Sequence, residues 1–317
     1  MRILIATGLS PADVGGPAQY GERLSEEFQK LGHSTKIAQY GSIESALFSI
    51  LPKILWADTV LALDTFSVGV PSILWARLLG KRVTVRIGGD FLWESYVQRT
   101  GEEITLNQFN SNIPKLNLKE RIIFFFTKIL TRFASQLAFN TKWQRDIWKQ
   151  TYKIPEAKSF IIKNYIPKKV YTETLNKTFL WAGRKIKLKN LDLLEEVAKE
   201  AQVDLEVVSG LSYEKLQDKI KNSYAVVLPS FSEVCPNFVL EAISYNKPFI
   251  MTKETGLNEL YNKGGIFIDP FDKKALKQAI LSMSDPEQYS QHKKDLESLD
   301  VKHSWEDVAN EFLSLYR

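Results

Sequence analysis

Residues 229–242 read PSFSEVCPNFVLEA. This stretch follows an apolar, β-rich run at 224–228, and Pro236 suits the first turn of the helix predicted to begin there. Two carboxylates, Glu233 in the loop and Glu241 in the helix, lie eight positions apart and flank the entry to that helix. A strand, a polar loop and a helix in this order are typical of an α/β sheet, whose ligands bind at the carboxyl ends of its strands.

The same alternation of strand and helix patterns continues from this stretch in both directions. Predicted strands lie at 178–182, 204–208, 224–228, 247–251 and 265–268. Predicted helices lie at 189–201, 212–221, 236–245, 256–262 and 272–284, and a last helix lies at about 303–316. The pattern predicts a mostly parallel sheet covered by helices.

The first half of the chain shows a second alternation, which ends before a polar, linker-like run at 167–177. Its predicted strands are 2–7, 35–39, 59–63, 82–87, 136–139 and 159–163, and its predicted helices are 18–31, 43–52, 68–79, 117–134 and 142–151. Residues 100–116 are polar and turn-rich, and we expect an irregular loop there. The simplest α/β architecture is two Rossmann-like domains, 1–165 and 166–302, that face a central cleft holding the active site.

Length and composition exclude several classes of protein. With 317 residues, 44% of them apolar and 25% charged, the chain has the size of two globular domains and is not disordered. Its one cysteine excludes an internal disulfide framework, and its three histidines lie too far apart in sequence for a metal-ligand motif. No apolar run approaches the ~18–20 residues that span a bilayer, so we expect a cytoplasmic protein with at most peripheral membrane contact.

The net charge of +5 is concentrated in the first half of the chain. Residues 1–165 carry 21 Lys/Arg against 14 Asp/Glu, whereas residues 166–317 carry 21 against 23. This asymmetry predicts an anionic partner, such as a phosphorylated substrate or a membrane surface, or is charge that only favours solubility. A nucleic-acid partner is disfavoured because no recognised binding motif occurs. An ATPase or NAD enzyme is disfavoured because neither a Walker loop nor Gly-x-Gly-x-x-Gly follows the first strand.

Two loops that follow predicted strands contain residues suited to phosphate. Gly15 and Gly16 precede the first helix, where a ligand can approach the backbone closely and the helix N-terminus favours an anion. Arg184 and Lys189 follow the strand 178–182, and two cations there could clamp a diphosphate. A plain structural turn and a solvated basic loop are the alternatives.

Glu241 is predicted to lie in a helix among apolar neighbours. A carboxylate in such surroundings costs free energy unless it is hydrogen-bonded, and the hydroxyl groups of a ligand would satisfy it. Glu233, in the preceding loop, could reach a different part of the same ligand. The alternative is that one carboxylate is a helix-dipole partner and the other a surface acid.

Together these motifs resemble a retaining glycosyltransferase of glycosyltransferase family 4 (glycosyl transferases group 1), which has the GT-B fold. The C-terminal signature of the family, Glu-x7-Glu with Pro-Asn-Phe-Val-Leu-Glu-Ala inside it, is matched without a gap from Glu233 to Glu241. Gly183, Arg184 and Lys189 match its Gly-Arg followed by a lysine five positions later. Further matches, which extend the resemblance over nearly the whole chain, are Gly15-Gly16, Gly32-His33, Thr255-Gly256 with Glu259, and residues 303–306.

The resemblance implies transfer of a sugar from a nucleotide-diphosphate sugar to an acceptor hydroxyl. Arg184 and Lys189 would bind the donor diphosphate and stabilise the leaving charge, and the backbone of Gly16, beside Gly15, would contact the same group. Glu241 would accept hydrogen bonds from the ribose hydroxyls. Such fixed cations act where charge develops, and no metal or other cofactor is implied.

The resemblance also implies which residues face the transferred sugar. Glu233 would contact it, together with the backbone of Pro236, Asn237 and Phe238. The acceptor would be a sugar or a lipid-linked group. Residues 303–317 would form a helix that crosses back to the first domain.

Two regions depart from the family pattern. Many members have a histidine after the fourth strand, near the acceptor; here Gly88 takes its place. Asp90, with Arg86 as its candidate partner, is then the nearest polar residue that could take the place of this histidine near the acceptor. In the alternative it is a helix N-cap.

The second departure lies between Gly210 and Tyr224, where there is room for one helix only, so the strand and base-reading loop usual in the family are missing. These departures keep two alternatives open: a non-catalytic sugar-nucleotide or polyanion-binding protein, and a GT-B nucleotide-sugar epimerase.

The helix predicted at 117–134 combines apolar residues with four basic ones, Lys119, Arg121, Lys128 and Arg132. Such a helix can lie on an anionic membrane. In the alternative it is a buried helix with a solvated edge, and Phe124–Phe126 stay buried. With the positive first half, the helix predicts weak, salt-dependent binding to acidic lipids.

Overall fold

The structure, a computed structural model, describes residues 1–8, 16–40, 42–172, 176–299 and 302–316. The chain divides into two compact units. Unit 1 comprises Met1–Leu92, Asn110–Tyr165 and Ser304–Arg317, and unit 2 comprises Trp93–Phe109 and Ile166–His303. Each unit contains a parallel sheet with helices, so the predicted α/β class is confirmed.

Unit 1 is built on six parallel strands. They are β1 (Arg2–Thr7), β2 (Ser34–Gln39), β3 (Thr59–Ala62), β4 (Arg82–Ile87), β5 (Gln136–Phe139) and β6 (Ser159–Ile161), in the sheet order β2-β1-β3-β4-β5-β6. Most strand residues are buried, as expected for apolar runs in a sheet that helices cover on both faces. Because β1 pairs with both β2 and β3, the topological switch point of this sheet lies between β1 and β3.

Unit 2 is built on five parallel strands. They are β7 (Phe179–Ala182), β8 (Leu205–Val208), β9 (Ala225–Leu228), β10 (Phe249–Thr252) and β11 (Gly265–Ile268), in the sheet order β11-β10-β9-β7-β8. After β8 has paired on one side of β7, the chain returns to place β9 on the other side. The switch point of this sheet therefore lies between β7 and β9.

The helices of the described residues lie between these strands and after the last of them. In chain order they are α1 (Gly16–Lys30), α2 (Ile43–Ser49), α3 (Leu51–Trp56), α4 (Gly69–Leu78), α5 (Phe91–Thr100), α6 (Leu106–Ser111), α7 (Leu118–Phe133), α8 (Lys142–Tyr152), α9 (Leu191–Ala201), α10 (Tyr213–Asn222), α11 (Asn237–Ser244), α12 (Lys273–Ser284), α13 (Pro286–Ser298) and α14 (Trp305–Ser314). Their boundaries follow local capping. For example, Asn117 and Glu120 form a capping box that begins α7.

Some helix predictions are wrong, for local reasons. The helix predicted at 43–52 is two short helices, because α2 ends at Ile50 and Pro52 begins a new helix at its first turn. The helix predicted at 256–262 is a single 3₁₀ turn, Leu257–Glu259. The prediction also missed α13, which is polar and buries only Leu296, so it has no apolar periodicity to detect.

The last helix, α14, completes the core of unit 1. Its buried residues Val308, Ala309 and Phe312 belong to the same apolar cluster as Leu24 and Phe28 of α1. Residues 304–317 are therefore part of unit 1, although they follow unit 2 in the sequence.

The segment Trp93–Phe109, which we call the strap, lies in unit 2, whereas its position in the sequence predicted the first domain. The backbone N–H of Leu106 donates to the buried Ser232 Oγ at 2.9 Å. The side chains of Leu106 and Phe109, on the unpredicted helix α6, are buried. Buried contacts of this kind outweigh proximity in sequence. Of the predicted irregular loop at 100–116, residues 106–111 form helix α6, and the part up to Phe109 belongs to unit 2.

Candidate functional site

Three loops of unit 2 follow adjacent strands. They are 183–190 after β7, 229–236 after β9 and 253–256 after β10. Because β9 lies between β7 and β10 and all three strands are parallel, their carboxyl ends are neighbours at one edge of the sheet. This edge includes the switch point between β7 and β9, where sheets of this kind bind ligands. The predicted residues Arg184, Lys189 and Glu233 lie on these loops.

An ion pair joins two of the loops across the switch point. The Lys189 Nζ lies 2.5 Å from Glu233 Oε1, and Ser230 Oγ donates to the same oxygen at 2.6 Å. The backbone N–H of Glu233 donates to the carbonyl of Glu254 at 2.9 Å, which ties the loop after β9 to that after β10. Lys189 and Glu233 are only 22% and 11% exposed, so their charges are partly desolvated and compensate one another.

Asn190 fixes the end of the loop after β7. Its backbone is left-handed, with φ of 53°, a conformation that glycine adopts freely and asparagine tolerates better than most residues. Its side-chain amide donates to the carbonyls of Pro229 at 3.2 Å and Pro270 at 2.7 Å. These two hydrogen bonds anchor the end of the loop that carries Lys189.

Arg184 lies in the same loop but in a different environment. Its side chain is 72% exposed, and a guanidinium nitrogen lies 3.3 Å from Glu94 Oε2 of the strap. Lys187, between Arg184 and Lys189, lies 3.3 Å from Glu103 Oε1 of the strap. Each of these three cations thus faces a carboxylate in the structure.

The residues predicted to offer backbone groups to a sugar form the start of α11. Pro236 is the N-cap residue, in extended conformation, and Asn237 and Phe238 are the first two helical residues. The first N–H groups of a helix have no partner within the helix and carry partial positive charge. This helix start directly follows the loop that holds Glu233, so it lies at the same edge of the sheet.

Glu241 is buried one turn further into α11 and is only 7% exposed. Burial raises the pKa of its carboxyl from about 4.5 to about 7, and the neighbouring Gln217 side chain opposes that rise. A carboxyl with this pKa changes charge near neutral pH. Hydrogen bonds donated by ligand hydroxyls would favour its ionised form.

The other predicted site residues lie in unit 1. Asp90 is 2% exposed, directly precedes α5 and accepts a hydrogen bond from Asn110 Nδ2 at 3.3 Å. Arg86, its candidate partner, donates to Asn164 Oδ1 at 2.8 Å and stacks over the Tyr20 ring at 4.0 Å.

The glycine loop is described only in part. Gly16 is the first residue of α1, and Gly15 lies outside the described residues. Within unit 2, the structure joins Lys189 to Glu233, places Arg184 on the loop of Lys189, and buries Glu241 in the helix that follows the Glu233 loop.

Sequence reasoning missed four polar residues around the site. Ser230 and Glu254 contact Glu233 as described, and burial raises the pKa of the Glu254 carboxyl, to which the Thr105 side chain hydrogen-bonds. Ser232 receives the Leu106 N–H of the strap. Small hydroxyl residues in a loop give no periodic signal, and the position of the strap depends on long-range packing that the sequence does not display.

Among the described residues, no group of three or more His, Cys, Asp or Glu side chains is placed to hold a metal ion.

Comparison with known proteins supports the motif resemblance. Residues 156–285 match the family model described as glycosyl transferases group 1, so the resemblance predicted from the motifs is confirmed. The matched range contains Arg184, Lys189, Glu233 and Glu241. No curated protein shows a significant sequence match to the chain.

Solved structures identify the fold. Sucrose-phosphate synthase from Thermosynechococcus elongatus matches with a TM-score of 0.74 and 15% identity, over 100% of this chain and 98% of that one. HepE from Anabaena, solved with UDP-glucose, matches with a TM-score of 0.73 and 11% identity, over 100% and 99%. The glycosyltransferase WaaG, involved in lipopolysaccharide biosynthesis, matches with a TM-score of 0.66 and 12% identity, over 98% and 99%. At these identities the similarity establishes the fold, which is GT-B as predicted.

Proposed function

We propose that this chain, with its GT-B fold and its glycosyl transferases group 1 segment, transfers a sugar from a nucleotide-diphosphate sugar to an acceptor hydroxyl with retention of configuration. The observation that carries the proposal is the Lys189–Glu233 ion pair at the switch point of unit 2, with Arg184 on the same loop. Two cations and a helix start at the carboxyl ends of β7 and β9 suit a diphosphate linked to a sugar.

The chemistry assigns a role to each charge. As the sugar–phosphate bond breaks, negative charge grows on the leaving diphosphate and positive charge on the sugar. Arg184 and Lys189 are placed to stabilise the diphosphate, and fixed charges that act where charge develops lower the barrier most. When Lys189 turns to the diphosphate, Glu233 loses its cation but keeps the Ser230 hydrogen bond, and its carboxylate becomes available to the sugar hydroxyls. In this proposal the reaction requires no metal or other cofactor.

The nucleoside is assigned to Glu241. Its buried carboxyl has a pKa of about 7, and hydroxyl groups of a ribose would donate to its ionised form. Between β8 and β9 the chain forms only α10, as the sequence predicted, so this helix and its flanking turns are the elements left to contact the base. Solved neighbours contain UDP and UDP-glucose, which makes UDP the first nucleotide to test.

The acceptor is proposed to be a sugar or a lipid-linked group reached at the inner face of the cytoplasmic membrane. None of the described helices is both long and apolar enough to cross a bilayer. The surface of α7 supports a peripheral contact. Phe125 is 60% exposed, which contradicts the alternative in which Phe124–Phe126 all stay buried.

The exposed side of α7 combines apolar and basic residues. Its solvent-facing stripe, at spacings of four, three and eight residues, is Leu118, Ile122, Phe125 and Phe133. The exposed basic residues Lys119, Arg121, Lys128 and Arg132 flank this stripe, while Ile123, Thr127 and Leu130 form the opposite, buried face. An apolar stripe between basic flanks suits an anionic lipid surface.

A donor screen tests the proposal. The protein is incubated with UDP-, GDP- and ADP-linked sugars and candidate acceptors, with and without EDTA, and released nucleoside diphosphate and the anomeric configuration of the product are measured. Retention in EDTA supports the proposal, and inversion or a strict metal requirement contradicts the corresponding part of it. Binding without turnover would favour the non-catalytic alternative, and a nucleotide sugar with an inverted hydroxyl centre, formed without transfer to an acceptor, would favour the epimerase.

A further inference from the structure

The strap places carboxylates on the loop that is proposed to hold the donor diphosphate. Glu94 Oε2 lies 3.3 Å from the guanidinium of Arg184, and Glu103 Oε1 lies 3.3 Å from Lys187 Nζ. Both carboxylates come from a segment that precedes the loop by more than 80 residues in the sequence. The contacts are therefore tertiary, and they follow from the way the strap packs.

Two contacts near the end of the strap fix it to unit 2 without using these charges. The Leu106 N–H donates to the buried Ser232 Oγ at 2.9 Å, next to Glu233. The Thr105 side chain hydrogen-bonds to Glu254, in the loop after β10. These contacts keep the strap beside the site whether or not Glu94 is paired with Arg184.

The ion pairs themselves are exposed and easily exchanged. The side chains of Glu94 and Arg184 are 33% and 72% exposed, and those of Glu103 and Lys187 are 57% and 38% exposed. Exposed ion pairs of this kind contribute little to stability, so a ligand with two or three negative charges can replace the carboxylate.

We propose that the strap is an electrostatic gate, in which Glu94 occupies Arg184 in the unliganded protein and the donor diphosphate displaces it. The inference rests on the proposed function, because it takes Arg184 as a diphosphate ligand. The gate lowers the affinity of the site for phosphate compounds in general. A ligand that also offers a ribose to Glu241 and a sugar to Glu233 compensates for this competition, whereas inorganic phosphates do not. The gate thus weakens the binding of all these ligands by the same factor, and only a ligand with the further contacts still binds tightly.

The opposite role for Glu94 makes a different prediction. If Glu94 orients Arg184 for the diphosphate, removing its charge weakens diphosphate binding. If Glu94 competes with the diphosphate, removing its charge strengthens that binding. The sign of the change in affinity therefore separates the two.

The test is calorimetric titration of the full chain with UDP, GDP, ADP, inorganic pyrophosphate and uridine. The variants are Glu94→Gln, Glu103→Gln and a control, Glu196→Gln, which removes one charge from an exposed ion pair with Lys273 elsewhere in unit 2. We expect Glu94→Gln to bind UDP and pyrophosphate about two- to fivefold more tightly, the range of an exposed ion pair of up to ~1 kcal/mol. Uridine, which has no phosphate, should bind wild type and Glu94→Gln equally.

Each other outcome overturns the inference. Unchanged or weaker UDP binding by Glu94→Gln, in a protein whose wild type binds UDP, removes the gate and leaves the proposed function standing. If Glu196→Gln binds UDP equally more tightly, the change in affinity comes from net charge. If wild type binds neither pyrophosphate nor any of UDP, GDP and ADP, both the gate and the proposed function fail. If only Glu103→Gln binds UDP and pyrophosphate more tightly, Glu103 competes for Lys187, and the role of Glu94 is contradicted.

Discussion

Glu241 illustrates at the scale of a residue how a group that we propose to bind a ligand destabilises the fold that holds it. Burial raises the pKa of its carboxyl from about 4.5 to about 7, so between these values the native state holds a proton that the unfolded state releases. Its contribution to stability therefore falls as the pH rises from about 4.5 to about 7, and the loss is complete above that range. At 1.36 kcal/mol for each pKa unit, the cost at pH 8 is about 3 kcal/mol.

Glu241→Gln should accordingly be more stable than wild type at pH 8, by up to about 3 kcal/mol, and nearly equal to it at pH 4.5. Urea unfolding at the two pH values measures this difference, with Glu206→Gln, at a partly exposed carboxylate of β8, as the control. The same variant should bind UDP about 10- to 100-fold more weakly, because it loses charged hydrogen bonds to the ribose. A variant that is less stable at pH 8, or that binds UDP normally, would contradict the assignment.

Arg184 and Lys189 carry the second prediction at this scale. Arg184→Ala and Lys189→Ala should each slow sugar transfer by roughly 10²–10³, the effect of one lost transition-state contact. Arg184→Ala should keep the stability of wild type because its side chain is 72% exposed, whereas Lys189→Ala leaves the Glu233 carboxylate without its cation. Lys185→Ala, in the same exposed loop, is the control. Steady-state rates measure the effect on transfer, and thermal unfolding measures the effect on stability. Near-normal turnover in both variants would refute the proposed binding of the diphosphate by Arg184 and Lys189.

At the scale of elements, most strands and helices could be predicted within one or two residues, because apolar periodicity and turn residues mark them. The short β8–β9 connection was predicted from its length alone, and the structure has only α10 there. The strap could not be predicted, since its burial depends on Ser232 and Glu254, which are distant in sequence. The polar helix α13 was missed for a different reason. It buries only Leu296, so its sequence shows no apolar periodicity.

The helix α7 carries the prediction that belongs to this scale. The protein should cosediment with vesicles containing phosphatidylserine at low salt, and not with neutral vesicles or at high salt. Lys128→Ala/Arg132→Ala should weaken this binding by about 30-fold, since each basic residue near an acidic surface contributes about 1 kcal/mol. Phe125→Ser should weaken it as well.

The control for the membrane experiment is Lys219→Ala/Lys273→Ala, which removes two basic residues from unit 2. Equal loss of binding in that control would indicate a general charge effect. Binding of wild type to neutral and acidic vesicles alike would leave a soluble acceptor as the better explanation.

At the scale of the whole molecule, neither structural unit is one continuous stretch of the chain. Unit 1 is completed by Ser304–Arg317 from the end of the chain, and unit 2 takes in Trp93–Phe109 from the first half. The site of unit 2 therefore depends on residues that the linear domain boundaries would exclude. A fragment limited to residues 166–302 would lack the strap, including Glu94 and the Leu106 contact to Ser232.

The most direct test of the central claim is a crystal structure of the protein with UDP. We expect the diphosphate to lie within hydrogen-bond distance of Arg184 and Lys189, with Lys189 released from Glu233 and the ribose hydroxyls on the Glu241 carboxylate. The nucleotide found at another place, with the Lys189–Glu233 ion pair intact, would contradict the account.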